Sequence, residues 1–399
     1  MNFCRFIVNC LAGSLLLPAL NAQGLRDPQF MAQAQPGFTD IYNIDYDQAD
    51  RVFLALEKRF PEHPAPPQYL ATIAWLRELF RRQDLDLDLF LSPSFFTKET
   101  TQAMPPEQRK AFFDYMQESQ ALSQKLLQAN PKNQDAIYFL GASYGILASF
   151  AITIDHSLRK AFSYGNKAYD CDRQVLKLTP DYYDAYMTVG LYQYIVGSIP
   201  WYIKWLAALA GYHGTKDEGF RQLNVAVAKG NYVKVDAKIL QMVLLMREGR
   251  PKEALQDARE LHRDYPRNFI FQINIAQILE KLGETDQAAT EYLDVVRQAE
   301  QATPNYQLVA MSTFRYALGN KLLSLGRAPA AREQLEKSVA NPSTPERERV
   351  LSQLRLGQAL DVEGKRDQAV ERYQTVLRMK DVEDSRDLAR KFIRKPYGK

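Results

Sequence analysis

The sequence predicts an all-α solenoid, a stack of helix–turn–helix units. Two observations predict it. A glycine and an alanine five residues apart return four times, as Gly249/Ala254, Gly283/Ala288, Gly326/Ala331 and Gly364/Ala369, with steps of 34, 43 and 38 positions from one glycine to the next. Around each pair, apolar residues recur three to four apart, the period of a helix with one buried face. A unit of that size cannot bury its apolar face alone, so copies must stack.

The unit from Val350 to Asp381 shows the pattern best. Leu356, Gly357 and Leu360 lie on one face of a first helix, and Gly357 lets a second helix approach closely. Gly364 ends the first helix, where a left-handed residue costs glycine least. Ala369 opens the second helix, and Tyr373 and Val376 continue its buried stripe. The preceding unit has Leu318, Gly319, Leu322, Gly326, Ala331 and Leu335, stopped by Asn341-Pro342. An earlier one has Ile275, Ala276, Leu279, Gly283, Ala288, Tyr292 and Val295. Before it come Gln241, Met242, Leu245, Gly249, Ala254, Ala258, Leu261 and the breaker Pro266. The longer steps fit extra turns near Pro304 and Pro342 to Pro345.

These residues resemble the tetratricopeptide repeat over 233–382. The resemblance implies a right-handed superhelical solenoid that acts as a binding surface. Upstream, 23–232 reads as divergent units of the same kind. Ala49, Phe53, Leu56 and Pro61 fit a second helix and its stop, and 67–82 the next first helix. Pro93 and Pro105-Pro106 mark an irregular link, and Glu107 to Ala129 is a long helix ended by Asn130-Pro131. Leu140, Gly141 and Tyr144 repeat the first-helix signature. Pro180 lies far enough beyond Pro131 that both helices between them are long. Asp184 to Tyr194 is the following first helix, with Gly190 in the glycine position.

Residues 197–220 interrupt the pattern with an aromatic, nearly uncharged insert in which Trp201, Trp205 and Ala208 share a helical face. With the regular unit after it, this part resembles the eukaryotic tetratricopeptide repeat 39 and inclusion-body-clearance group over 190–280. Only the fold is implied. Trp201, Tyr202 and Trp205 are the candidate docking or membrane patch, because aromatic side chains favour interfaces. A core role is the plainer reading. The stretch 383–399 reads as a capping helix and tail, basic through Arg386, Arg390, Lys391, Arg394, Lys395 and Lys399.

The first 22 residues read as a signal peptide. Arg5 is the only charge, Phe6 to Leu20 is mostly apolar, and the small Ala22 suits cleavage before Gln23. The apolar core, about 15 residues, is short of the roughly 20 that cross a membrane. Export to a bacterial periplasm is the expectation. Cys4 and Cys10 would leave with the signal, so Cys171 would stand alone. A net charge of +4 with interspersed signs argues against a dedicated nucleic-acid binder.

No catalytic constellation, metal site or cofactor motif is legible. His63, His156, His213 and His262 are far apart, and adjacency of Asp155 and His156 builds no relay. Thr215-Lys216 lies in a glycine-rich stretch but not in the order of a phosphate loop. An envelope hydrolase in the divergent half, with a cleft joining His156 or His213 to carboxylates, is the enzyme alternative. A peripheral membrane assembly factor is the other.

The resemblance also implies where a protein partner would lie, since the family's first helices line a concave groove. Carried onto this chain, its positions are Asp236, Ile239, Val243 and Arg247; Ile273, Gln277, Glu280 and Lys281; Tyr316, Asn320 and Leu323; and Leu354, Gln358 and Asp361. The mixed lining suits a helix or an extended peptide.

Overall fold

The computed structural model describes residues 28–85, 87, 91, 103–199 and 213–398. The signal-peptide segment and Trp201, Tyr202 and Trp205 lie outside them. The described helices are α1 (Pro28–Tyr42), α2 (Tyr46–Arg59), α3 (Ala65–Arg82), α4 (Pro106–Ala129), α5 (Gln134–Thr153), α6 (Leu158–Leu178), α7 (Ala185–Gly197) and α8 (Lys216–Lys229). They continue as α9 (Lys234–Arg247), α10 (Pro251–Asp264), α11 (Phe269–Lys281), α12 (Thr285–Glu300), α13 (Met311–Ser324), α14 (Ala328–Ala340), α15 (Glu346–Val362), α16 (Arg366–Arg378) and α17 (Ser385–Arg394). Among the described residues there is no strand.

Helices pack in consecutive pairs, α1 with α2 through α15 with α16, and α17 closes the stack. Local chemistry sets the ends. Asn133, Ser157, Thr215 and Asn268 each accept a backbone N–H from the first turn they cap. Gly249, Gly283, Gly326 and Gly364 all have φ between 69° and 77°, the left-handed turn that the repeat requires. Asp184 reaches across to the start of α9: its Oδ1 accepts the backbone N–H groups of Asn231, Tyr232 and Val233 at 2.7, 2.8 and 3.2 Å. Helices α5 and α6 have 20 and 21 residues, the long pair that the proline spacing implies. The first of these is apolar and long enough to cross a membrane, and in the fold it packs against α4 and α6.

Small residues allow the closest approaches. A Cβ on Gly357 would lie 2.5 Å from Cε1 of Tyr373, and one on Gly319 2.5 Å from Cγ of Leu335. Gly357→Leu is therefore expected to cost about 1–3 kcal/mol by overpacking. Gly364→Val meets no atom within 4 Å but must hold a φ of +77°, which costs a β-branched residue about 1–2 kcal/mol. Thermal unfolding of both variants checks this; unchanged melting would place the helix register elsewhere.

The stack also touches itself far along the chain. The loop after α1 meets the loops before α11 and before α13. Asn268 Nδ2 donates to the Tyr42 carbonyl at 2.8 Å, and Asn305 Nδ2 donates to the Asn43 carbonyl at 2.6 Å and to Asp45 at 2.8 Å. The backbone N–H of Arg267 donates to Asn43 Oδ1 at 3.1 Å, and its guanidinium pairs with Asp45 at 2.5 Å. Residues more than 200 positions apart are thus joined, whereas a simple solenoid unit contacts only its neighbours. Inside this closed turn lies an aromatic centre. Phe38 and Tyr69 approach Tyr232 at 6.1 and 6.5 Å between ring centroids, Tyr42 approaches Tyr265 at 5.2 Å, and Phe80 approaches Phe269 at 6.1 Å.

Candidate partner-binding groove

The closed turn changes what the inward positions can do. Asp236 on α9 keeps solvent contact but sits among the aromatic residues of the closed turn. The surrounding protein strips enough water from its carboxyl to push the pKa up to about 6, and a hydrogen bond with Tyr42 opposes the shift. Tyr42 is thus one neighbour of this position, whose other side is exposed. Ile239 and Val243 are half-buried in the same core, and Arg247 is exposed at the helix end.

From α11 onward the inward positions differ. Ile273 is half-buried, Gln277 buried, and Lys281 exposed. Glu280 pairs with Lys321 at 3.0 Å and accepts from the Tyr292 hydroxyl at 2.7 Å, so it ties α11 to its neighbours. Tyr316 on α13 is half-buried and Asn320 is exposed one turn on. Burial raises the Tyr316 pKa, while the Arg355 guanidinium works against this and hydrogen-bonds to the hydroxyl. Arg355 also donates to Gln358 Oε1 at 2.8 Å. Gln358 is thus buried and engaged, and Arg355 is the groove-side residue that the repeat positions overlook.

Asp361 departs from the expected role. It is buried, and it accepts from Arg366 at 2.9 Å, from the Tyr373 hydroxyl at 2.8 Å and from the backbone N–H of Tyr397 at 2.9 Å. Arg366 in turn donates to the carbonyls of Phe392 and Ile393. The carboxylate fastens the terminal cap and leaves no face toward a partner. The basic stretch forms α17, with Ala389 and Phe392 buried and Arg390 and Lys391 outward.

The histidines are scattered through the fold. His63 stacks on Phe30 at 3.8 Å and its Nδ1 accepts the Ala65 N–H that opens α3. Asp155 is held by Arg109 at 2.7 Å and Lys160 at 3.3 Å. His213 is exposed, and burial lowers the pKa of His262. Cys171 is half-buried beside Gly141, its thiol pushed up to about 12 by burial and by Asp172 and Asp170. Among the described residues no group of His, Cys, Asp and Glu side chains is placed to hold a metal ion.

Residues 245–312 match the family model described as tetratricopeptide repeat. The span runs from the end of α9 to the start of α13, so this part of the chain carries tetratricopeptide repeats. No curated protein matches the sequence. Among solved structures, human IFIT1 with PPP-AAAA is 15% identical, with 92% of this chain and 87% of that one covered at a TM-score of 0.35. Yeast Tom70 is 13% identical, with 92% and 95% covered at 0.32. A tetratricopeptide repeat protein from Parabacteroides merdae is 14% identical, with 82% and 98% covered at 0.32.

Proposed function

We propose that the chain is a non-catalytic protein-binding scaffold of the cell envelope whose working groove runs along the first helices α11, α13 and α15. One observation carries the reading. Along α11 and α13 the inward Lys281 and Asn320 are exposed and Tyr316 is half-buried, whereas on α9 the apolar inward positions Ile239 and Val243 pack into the core and leave the polar Asp236 and Arg247 exposed. The half-buried Tyr316, braced by Arg355, is the kind of amphipathic anchor that dominates binding surfaces. The half-buried Ile273 adds apolar surface, and the exposed Lys281 and Asn320 add polar contacts at the rim, while Leu354 is buried in the core. A helix or an extended peptide with an acidic and an apolar side fits this lining. The envelope assignment rests on the signal-like residues 1–22.

The test is in-cell crosslinking of the tagged full-length chain, with Tyr316→Ala/Asn320→Ala as the comparison. A partner whose recovery drops about tenfold or more in the double variant, as loss of one anchor worth about 1–2 kcal/mol implies, supports the groove. Equal recovery of every crosslinked protein from both chains would remove it.

A further inference from the structure

The contacts between the start of the chain and its middle have no place in a simple stack of repeats, and their chemistry differs from that of the helix pairs. Neighbouring pairs are held by continuous apolar packing. The closure between residues 40–45 and residues 265–305 has a different rim. There, three buried asparagines, Asn43, Asn268 and Asn305, exchange hydrogen bonds with main-chain groups and with Asp45. One exposed-side guanidinium, Arg267, faces both Asp45 and Asp40, at 2.5 and 3.7 Å. Behind the rim Tyr232 meets the rings of Phe38, Tyr69, Tyr138 and Phe139, and the apolar face of α1 joins the same buried core.

The loop that makes the closure is itself strained. Helix α1 ends with the paired bonds Ile44 N–H to the Ile41 carbonyl and Asp45 N–H to the Asp40 carbonyl, the turn that the later repeats build on glycine. Here the left-handed residue is Ile44, at φ 59° and buried. A β-branched residue rarely holds that conformation, and it persists only where the surroundings over-determine it.

We propose that the α1–α2 hairpin is a latch. Closed, it fastens the first turn of the solenoid through Asn43 and Asp45 to Arg267, Asn268 and Asn305, and its Phe38 and Tyr42 cover the rings of Tyr232 and Tyr265. Open, it frees those rings and extends the groove of α11 and α13 toward the N-terminal units. The latch is an autoinhibitory contact that concerns a different part of the concave surface from Tyr316 and Asn320. It rests on the scaffold reading only for its purpose, because its opening can be measured with no partner present.

Hydrogen exchange followed by mass spectrometry on the full-length chain tests it. Arg267→Glu places a third negative charge against Asp45 and Asp40. Amides in 28–59 and 230–270 are then expected to exchange at least tenfold faster, with 328–394 unchanged. Arg267→Lys keeps a positive charge facing Asp45 and Asp40 and is expected to leave exchange near that of the parent chain. Unchanged exchange in Arg267→Glu would overturn the latch, since the turn would then close on its aromatic rings alone. Acceleration that spreads through 328–394, or that Arg267→Lys produces to the same extent, would also overturn it, by making the contact part of global folding or independent of charge.

Discussion

Gly219→Ala is expected to destabilise the α7–α8 pair by about 2–3 kcal/mol, although alanine is the better helix former. The exposed-helix expectation has the opposite sign, because glycine in a helix interior is about 0.5–1 kcal/mol worse than alanine. At Gly219 geometry overrides it. An added Cβ would lie 2.8 Å from both the Cβ and the backbone nitrogen of Tyr194 and 2.9 Å from the carbonyl oxygen of Gly190. Gly190 faces back in the same way, with its Cβ 2.9 Å from the Gly219 carbonyl and 3.0 Å from the Leu223 nitrogen. Two helix backbones meet here with nothing between them. The obstacle is main chain, which cannot rotate aside as a side-chain tip would, so the cost reaches the upper part of the overpacking range. Gly165→Ala supplies the control. It lies in α6, and its Cβ would meet nothing within 4 Å, so it is expected to stabilise by about 0.5–1 kcal/mol. Because repeats unfold with some independence, exchange protection of 185–229 is read beside the melting temperature. A gain in stability from Gly219→Ala would mean that α7 and α8 are further apart than described.

Gly219 also shows how far the sequence could be read. Its pairing with Gly190 was legible only in part: Gly190 stood in the glycine position of a first helix, but the position of the second helix was hidden by the insert. The regular units were plain because each places glycine, alanine and large apolar residues at fixed offsets, and local spacing alone carries that information. The boundaries of α2, α3, α4 and α7 followed from proline stops and periodicity for the same reason. Helix α1 carried no repeat signature. It runs through Pro36 and Gly37, and a Cβ on Gly37 would lie 2.7 Å from the Phe53 ring. The closure was illegible for a physical reason. Asn43, Asp45, Arg267 and Asn305 are ordinary loop residues, and their meeting depends on the summed rotation of every unit between them. The groove positions failed at Asp361 on similar grounds, since the terminal cap folds back over the last unit and takes that carboxylate. Arg355 went unnoticed because the family's inward positions skip it.

Asp172 is the second site where a conservative change is expected to act strongly, here with a pH signature. Its side chain is fully buried on α6 beside Cys171, and neither carboxyl oxygen has a hydrogen bond of full geometry. Burial raises its pKa well above 3.8, Asp184 adds to the shift, and the Thr188 hydroxyl opposes it. The folded state thus holds the neutral acid in the pH range where the unfolded chain ionises. Below about pH 4 both states are protonated and the group has no net effect. Above it, folding must take up a proton, so this residue's contribution falls by about 1.4 kcal/mol for each pH unit until the raised folded pKa is reached. An asparagine side chain is uncharged at every pH and similar in shape, so Asp172→Asn removes that slope. The variant is expected to match the parent near pH 4 and to gain on it by about 1.4 kcal/mol for each pH unit above that until the raised folded pKa is reached. Denaturant titrations of both chains at several pH values between about 4 and 8 measure the difference directly. A difference that stays constant across that range would show that Asp172 is ionised in the folded protein, with Thr188 and a bound water or cation making up for its burial. A difference that widens with pH identifies it as a buried neutral acid whose proton the α5–α6–α7 packing retains.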